Sequence, residues 1–185
     1  MQKKDYLVWM DMEMSGLDPE KNTILEIASL ITDSNLRIID EGPNLVIHQP
    51  LKILKAMDKW NQEHHKKSGL TDAVIQSKLR LKKAETATLD FVRHYCLPNT
   101  APLCGNSIHH DRRFLARYMP RLHCYLHYRM IDVSAIKEVI RRWYVKPLKP
   151  PAKAQKHRAL ADILESLEEL QFYRQHYFKK TRRNA

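Results

Sequence analysis

Three short segments of the chain place four carboxylates and one histidine in an order that can do phosphoryl chemistry. They are Asp11-Met-Glu13 near the start, Asn106-Ser-Ile-His-His-Asp111 in the middle, and His157-Arg-Ala-Leu-Ala-Asp162 near the end. Asp11, Glu13, Asp111 and Asp162 are hard oxygen donors of the kind Mg²⁺ and Mn²⁺ prefer. Two such ions about 3.5–4 Å apart can clamp the attacking and leaving oxygens of an in-line displacement at phosphorus. Four carboxylates suffice to hold that pair, and a histidine beside them can take a proton from the attacking water near neutral pH. A lone Asp-x-Glu is common by chance, so the signal lies in the set and its order.

The elements that must position these groups follow from the apolar pattern. Tyr6–Met10 is a short apolar run with the character of a buried strand. Asp11 and Glu13 fall at its end, two apart, and so share one face of an extended chain. Ile24–Ile31 is a second strand, and Ile38-Ile39 and Leu45–His48 are further strand segments separated by Glu41-Gly-Pro43. Three strands in succession predict an antiparallel meander. Leu51, Leu54, Met57 and Trp60 are spaced by three, as one stripe of a short helix, and Ala84–Tyr95 repeats that spacing. Pro102–Gly105 and Tyr128–Asp132 are predicted strands, and Asp111–Tyr118 a helix. Asp132 or Ser134 can cap the helix that runs to Trp143. The Pro147–Pro151 segment breaks structure before a basic loop, and Ala159–Tyr177 is the clearest helix. If residues 157–162 were all helical, His157 and Asp162 would point about 140° apart. His157 is therefore expected in the loop before the helix, with His109 and His110 as alternative bases. Strands first and strand–helix alternation later predict an α/β fold, a mixed sheet covered by helices.

The length fits one domain with its own core, and no apolar run reaches the ~18 residues of a membrane span. The N-terminal segment turns acidic too soon for a signal peptide, so a cytoplasmic location is expected. Cys96, Cys104 and Cys124 form no Cys-x-x-Cys pair and are expected as reduced structural thiols. The formal charge of +11 favours a polyanionic partner, with part of the excess in Lys146–Lys156 and in the tail at 179–185. An acidic cluster inside a basic protein suits cations below and phosphates above.

Taken together, the segments resemble the DEDDh family of 3′-to-5′ exonucleases, whose ribonuclease H-like fold has a mixed five-stranded sheet. Its three motifs supply Asp-x-Glu, Asp, and His-x-x-x-x-Asp. Asp11, Glu13, Asp111, His157 and Asp162 match those positions in order and spacing. Longer stretches narrow the resemblance to the oligoribonuclease branch: Asp11–Pro19, Cys104–Leu115, His127–Ser134, and Met57-Asp-Lys-Trp-Asn61 followed by His65 and Ser68-Gly-Leu70. The likeness runs from about residue 6 to residue 178, so residues 1–178 are expected as the exonuclease domain and 179–185 as a basic tail.

That resemblance implies a homodimer that hydrolyses very short RNA, mainly dinucleotides, to 5′-mononucleotides with two Mg²⁺ or Mn²⁺ ions. It assigns metal ligation to Asp11, Glu13, Asp111 and Asp162, and the general base to His157. Leu17 and Trp60 wedge the bases. His65, Ser107, Arg129 and Ser134 cap the 5′ phosphate, with Tyr128 reaching across from the second subunit. Stacking on such a wedge reads no sequence, and an arginine fork suits phosphate. Two departures stand out: Ala135, where the family often carries threonine, and Ala161, where many relatives carry a second aspartate. A trimming exonuclease for longer RNA or DNA ends keeps the chemistry and changes the substrate. A non-catalytic RNA-binding protein has no need to gather four negative charges near phosphate.

Overall fold

A computed structural model describes residues 5–151 and 158–178. The strands are β1 (Leu7–Met14), β2 (Ile24–Thr32), β3 (Ile38–Val46), β4 (Leu103–Gly105) and β5 (Met130–Asp132). They form one mixed sheet in the order β3-β2-β1-β4-β5. β1, β2 and β3 pair antiparallel as the predicted meander, while β4 joins β1, and β5 joins β4, in parallel.

The two faces of β1 explain the layers. Val8, Met10 and Met12 point into a core shared with the helices α4 (Leu81–Tyr95), α5 (His109–Tyr118) and α6 (Pro120–Tyr125). Trp9 points the other way, with Ala28, Leu30 and Cys104, against α7 (Val133–Trp143) and α8 (Ala159–Tyr177). Alternation then carries Asp11 and Glu13 onto the α8 face, where the apolar surface gives out. Helices α1 (Leu51–Lys55), α2 (Lys59–Lys67) and α3 (Leu70–Gln76) precede α4, and α1 and α3 close a small satellite core around Leu25. No helix among the described residues is long and apolar enough to cross a membrane.

Three expectations change. The stripe Leu51–Trp60 is two helices, because Asp58 accepts the Asn61 N–H at 2.9 Å and starts α2 afresh. Ile38–Ile39 and Leu45 belong to one strand that passes through Gly42-Pro43. Proline is tolerated there because β3 is the sheet edge, and the register slips beside it. Tyr128 and Arg129 lie just before β5, not within it. Asp132, one of the two expected caps, does cap α7 by accepting the Ser134 N–H at 2.9 Å.

Candidate active site

Strand β1 and helix α8 meet at the carboxylates. One oxygen from each of Asp11, Glu13 and Asp162 lies within 4.8 Å of the others, a spacing that suits ligands of a shared cation. Asp111 stands in the first turn of α5, buried, and its Oδ1 has no hydrogen-bond partner among the described residues. A buried carboxylate oxygen left open in this way is costly unless something positive meets it.

The electrostatics agree. Burial first, and then the charges of Asp162 and Glu26, together raise the Glu13 carboxyl from its ordinary 4.5 to about 7, against the opposing Arg158 guanidinium. Asp11 is raised well above the carboxylate range, first by burial and then by Asp111, Glu13, Asp162 and Glu26. Burial also raises Asp111, against the backbone N–H groups of Asp111 and Met12 that favour its charge, and Glu13 and Asp132 add to the rise. Three acids that resist ionising, with the Asp162 charge raising two of them, form a site that divalent cations would complete.

His65 is buried beside this cluster. Its Nε2 lies 2.9 Å from the Met14 carbonyl, so that nitrogen carries the hydrogen, and Nδ1 sits 3.8 Å from Glu13 Oε2. Leu17, Trp60 and Tyr128 are all more than half exposed, at 61%, 56% and 72%. Leu17 is presented by a tight turn at Gly16, whose φ is 154°. A Cβ there would collide with Asn22, which braces the turn through the Ser15 carbonyl and the Asp18 N–H. Trp60 stacks on His64 with ring centroids 3.8 Å apart. The Arg129 guanidinium lies 5.3 Å over the Tyr128 ring. Ser107 and Ser134 come together, their hydroxyl oxygens 3.2 Å apart. His109 turns its Nδ1 to Asp132 Oδ2 at 3.6 Å, and burial lowers the His110 imidazole, followed by the charges of His109 and Arg113. His157 and the tail at 179–185 lie outside the described residues.

Sequence reasoning missed Glu26, Arg158 and Asn106. Glu26 had left a mark, the lone charged residue in the largely apolar run Ile24–Ile31.

A central sheet with acids from β1, α5 and α8 converging at the C-terminal end of its middle strand β1 defines a nuclease of the exonuclease class. The exonuclease family model (RNase_T) matches residues 8–170. The human protein called "Oligoribonuclease, mitochondrial" is 55% identical over 175 residues, 94% of this chain and 74% of its own. The oligoribonuclease of Chromobacterium violaceum is 49% identical over 178 residues, 96% of this chain and 98% of its own. This chain belongs to the oligoribonuclease family of exonucleases, and is a hydrolase of phosphodiester bonds. The fold is shared more widely. Exonuclease I from Methylocaldum szegediense superposes with a TM-score of 0.69 at 16% identity, covering 95% of this chain. The zinc-bound E. coli ExoI–ssDNA complex does so at 0.63 and 14%. This chain spans 41% of the length of each of those two proteins.

Proposed function

We propose that this protein is a 3′-to-5′ exoribonuclease that hydrolyses very short oligoribonucleotides, mainly 5′-phosphorylated dinucleotides, to 5′-mononucleotides. The observation that carries the reading is the convergence of Asp11, Glu13 and Asp162 within 4.8 Å, with the buried Asp111 carboxyl beside Met12 of the strand that bears Asp11 and Glu13. The fold and this cluster fit divalent metal ions, and we assign the site two, Mg²⁺ or Mn²⁺, held by Asp11, Glu13, Asp111 and Asp162. When bound they acidify water and neutralise charge on the departing oxygen.

The chain's own groups do the rest. His157 takes the proton of the attacking water, and in-line displacement releases a 5′-monophosphate. Leu17 and Trp60 offer exposed apolar surface on which two bases can be wedged without sequence readout. Arg129, Ser107, Ser134 and His65 receive the terminal phosphate, and His65 Nδ1 lies 3.8 Å from Glu13 Oε2. No hydroxyl is available at Ala135, so the serine pair carries the cap's hydroxyl contacts.

Tyr128 of the partner subunit completes the cap in a homodimer. The exposed apolar groups Val139, Trp143 and Val145 on and just after α7 support an interface nearby. Three cysteines outside any disulfide suit a reducing cytoplasm, which fractionation of cells tests directly. The deciding measurement for the activity is the rate against RNA length, from two to about ten nucleotides with Mg²⁺. A steep fall beyond two supports this reading. Equal rates across the series mean a general trimming exonuclease, and no turnover of any length means a binding protein.

A further inference from the structure

Between the serine pair and helix α8 lies a chain of hydrogen bonds that runs through one side chain, Asn106. Cys104 of β4 packs on the α8 face, and two residues later Asn106 returns to it. Its Nδ2 donates to Ser166 Oγ at 2.7 Å and to Glu169 Oε2 at 3.3 Å. Ser166 gives its own hydrogen to the carbonyl of Asp162 at 2.7 Å, so toward Asn106 it can only accept. Glu169 is held in turn by the Tyr173 hydroxyl at 2.8 Å and by Lys137 Nζ at 3.3 Å.

Two acceptors on the α8 side fix which way the Asn106 amide faces. Its Oδ1 therefore meets Ser134 Oγ and takes that hydroxyl's hydrogen at 3.1 Å. With its hydrogen committed, Ser134 Oγ accepts from the Ser107 N–H at 2.9 Å and from the Ser107 hydroxyl at 3.2 Å. The Ser107 N–H is shared with Asp132 Oδ1, also at 2.9 Å. These bonds hold Ser107 at φ 48°, a left-handed backbone that a serine does not adopt without such support.

We propose that Asn106 is a positioning residue: a strut that fixes the Ser107–Ser134 phosphate seat relative to Asp162, and so sets the distance from terminal phosphate to scissile phosphate. The inference rests on Ser107 and Ser134 seating the 5′ phosphate. It adds that the seat is not self-supporting but is braced against the helix that carries a metal ligand. Among the described residues the Ser107 hydroxyl meets Ser134 alone, and it can turn to an incoming phosphate.

The test measures the 5′-phosphate benefit, the ratio of kcat/KM for a 5′-phosphorylated dinucleotide to that for the same dinucleotide with a 5′ hydroxyl. Asn106→Ala is expected to shrink that ratio about three- to tenfold, the size of one misplaced hydrogen bond. The loss should sit mainly in KM, with Mn²⁺ affinity by calorimetry unchanged. Ser166→Ala, milder and farther from substrate, should move the ratio the same way. Asn106→Ala combined with Ser134→Ala should lose little more than Ser134→Ala alone. If Asn106→Ala and Ser166→Ala slow both dinucleotides equally, Asn106 is only structural and the strut is overturned. If Arg129→Ala abolishes the benefit while both strut variants spare it, the seat stands and the strut alone falls. A wild-type enzyme with no 5′-phosphate benefit overturns the seat and the strut together.

Discussion

Arg158 closes on the fully buried carboxylate of Glu26, with Nη2 2.7 Å from Oε1 and Nε 3.0 Å from Oε2, and the Ala159 N–H adds a further bond at 3.2 Å. The pair joins β2 to the first residues of α8. Glu26 lies opposite Glu13 in the β1–β2 register, and the Arg158 carbonyl accepts the Asp162 N–H at 3.1 Å. One ion pair thus fixes the helix bearing Asp162 against the strand bearing Asp11 and Glu13. It also anchors the chain at the residue after His157.

Arg158→Met should therefore be disproportionately harmful. Breaking a buried pair by removing one partner costs roughly 3–5 kcal/mol, and the lower end applies because Arg158 is open to solvent on one side. In a chain of this size that lowers the melting temperature on the order of 10 °C. Glu26→Met with Arg158→Met should regain most of that stability, because no lone charge stays buried, but not the activity, because α8 is no longer held in register. Melting curves and kcat/KM of the single and double variants check this. A double variant with full activity would show that the pair does not position the site.

The parts of this site visible in sequence were those set by periodicity. The apolar run of β1 and its alternation put Asp11 and Glu13 on one face, and the stripe of α8 put Asp162 near its start. What periodicity could not show was where local side-chain bonds override it. Asp58 capping Asn61 ended the apparent Leu51–Trp60 stripe, which leaves Trp60 on the surface. An edge position let β3 run through Pro43. Glu26 and Arg158 lie 132 residues apart, and Asn106 and Ser166 lie 60 apart, so no local pattern could pair them. The four metal-ligating candidates needed only order and spacing, whereas their supports needed the tertiary structure.

The carboxylate cluster predicts an inverted pH response in the metal-free protein. The Glu13 carboxyl is pushed up to about 7 in the folded chain from an ordinary 4.5, and Asp11 and Asp111 are raised as well. The folded state then keeps protons that the unfolded state has released. The stability from these groups is full below about pH 3.8 and is lost as pH rises through about 7 for Glu13 and about 8 for Asp111. In chelator, the melting temperature should fall from about pH 5 to pH 8. Mn²⁺ should restore it increasingly toward the alkaline end, because cation binding displaces protons. Asp162→Asn removes a charge that raises Glu13, so it should flatten the fall while weakening Mn²⁺ binding and abolishing turnover. A chelated wild type whose melting temperature climbs across that window would contradict the like-charge cluster.

His157→Ala should separate proton transfer from metal ligation. The four carboxylates suffice as ligands, so calorimetric Mn²⁺ affinity should stay within a few-fold of wild type. Single-turnover rates should drop by roughly 10²–10⁴, the usual effect of losing a general base. The limb of the pH–rate profile that reports the base should vanish with it. Metal affinity collapsing in step with the rate would make His157 a ligand instead.

The cap and the dimer make the final prediction together. Leu17 and Trp60 are to grip two bases, Arg129 with the serine pair is to hold the 5′ phosphate, and Tyr128 of the partner subunit is to close the far side. A site so closed accepts little beyond a second nucleotide. Arg129→Ala should then harm cleavage of a 5′-phosphorylated dinucleotide far more than cleavage of a seven-residue RNA. A charge-assisted bond of this kind contributes roughly 1.5–3 kcal/mol, or about ten- to a hundredfold in apparent affinity. Removing the 5′ phosphate should cost the wild type a similar factor and the variant little more, so the two losses overlap in a double cycle. Tyr128→Ala should weaken the same substrate. A chain held monomeric by a charge introduced at Trp143 should lose dinucleotide preference while keeping metal binding. Additive losses in the cycle, or an unchanged length profile in the monomer, would mean that Arg129 meets no terminal phosphate or that one protomer holds a complete site.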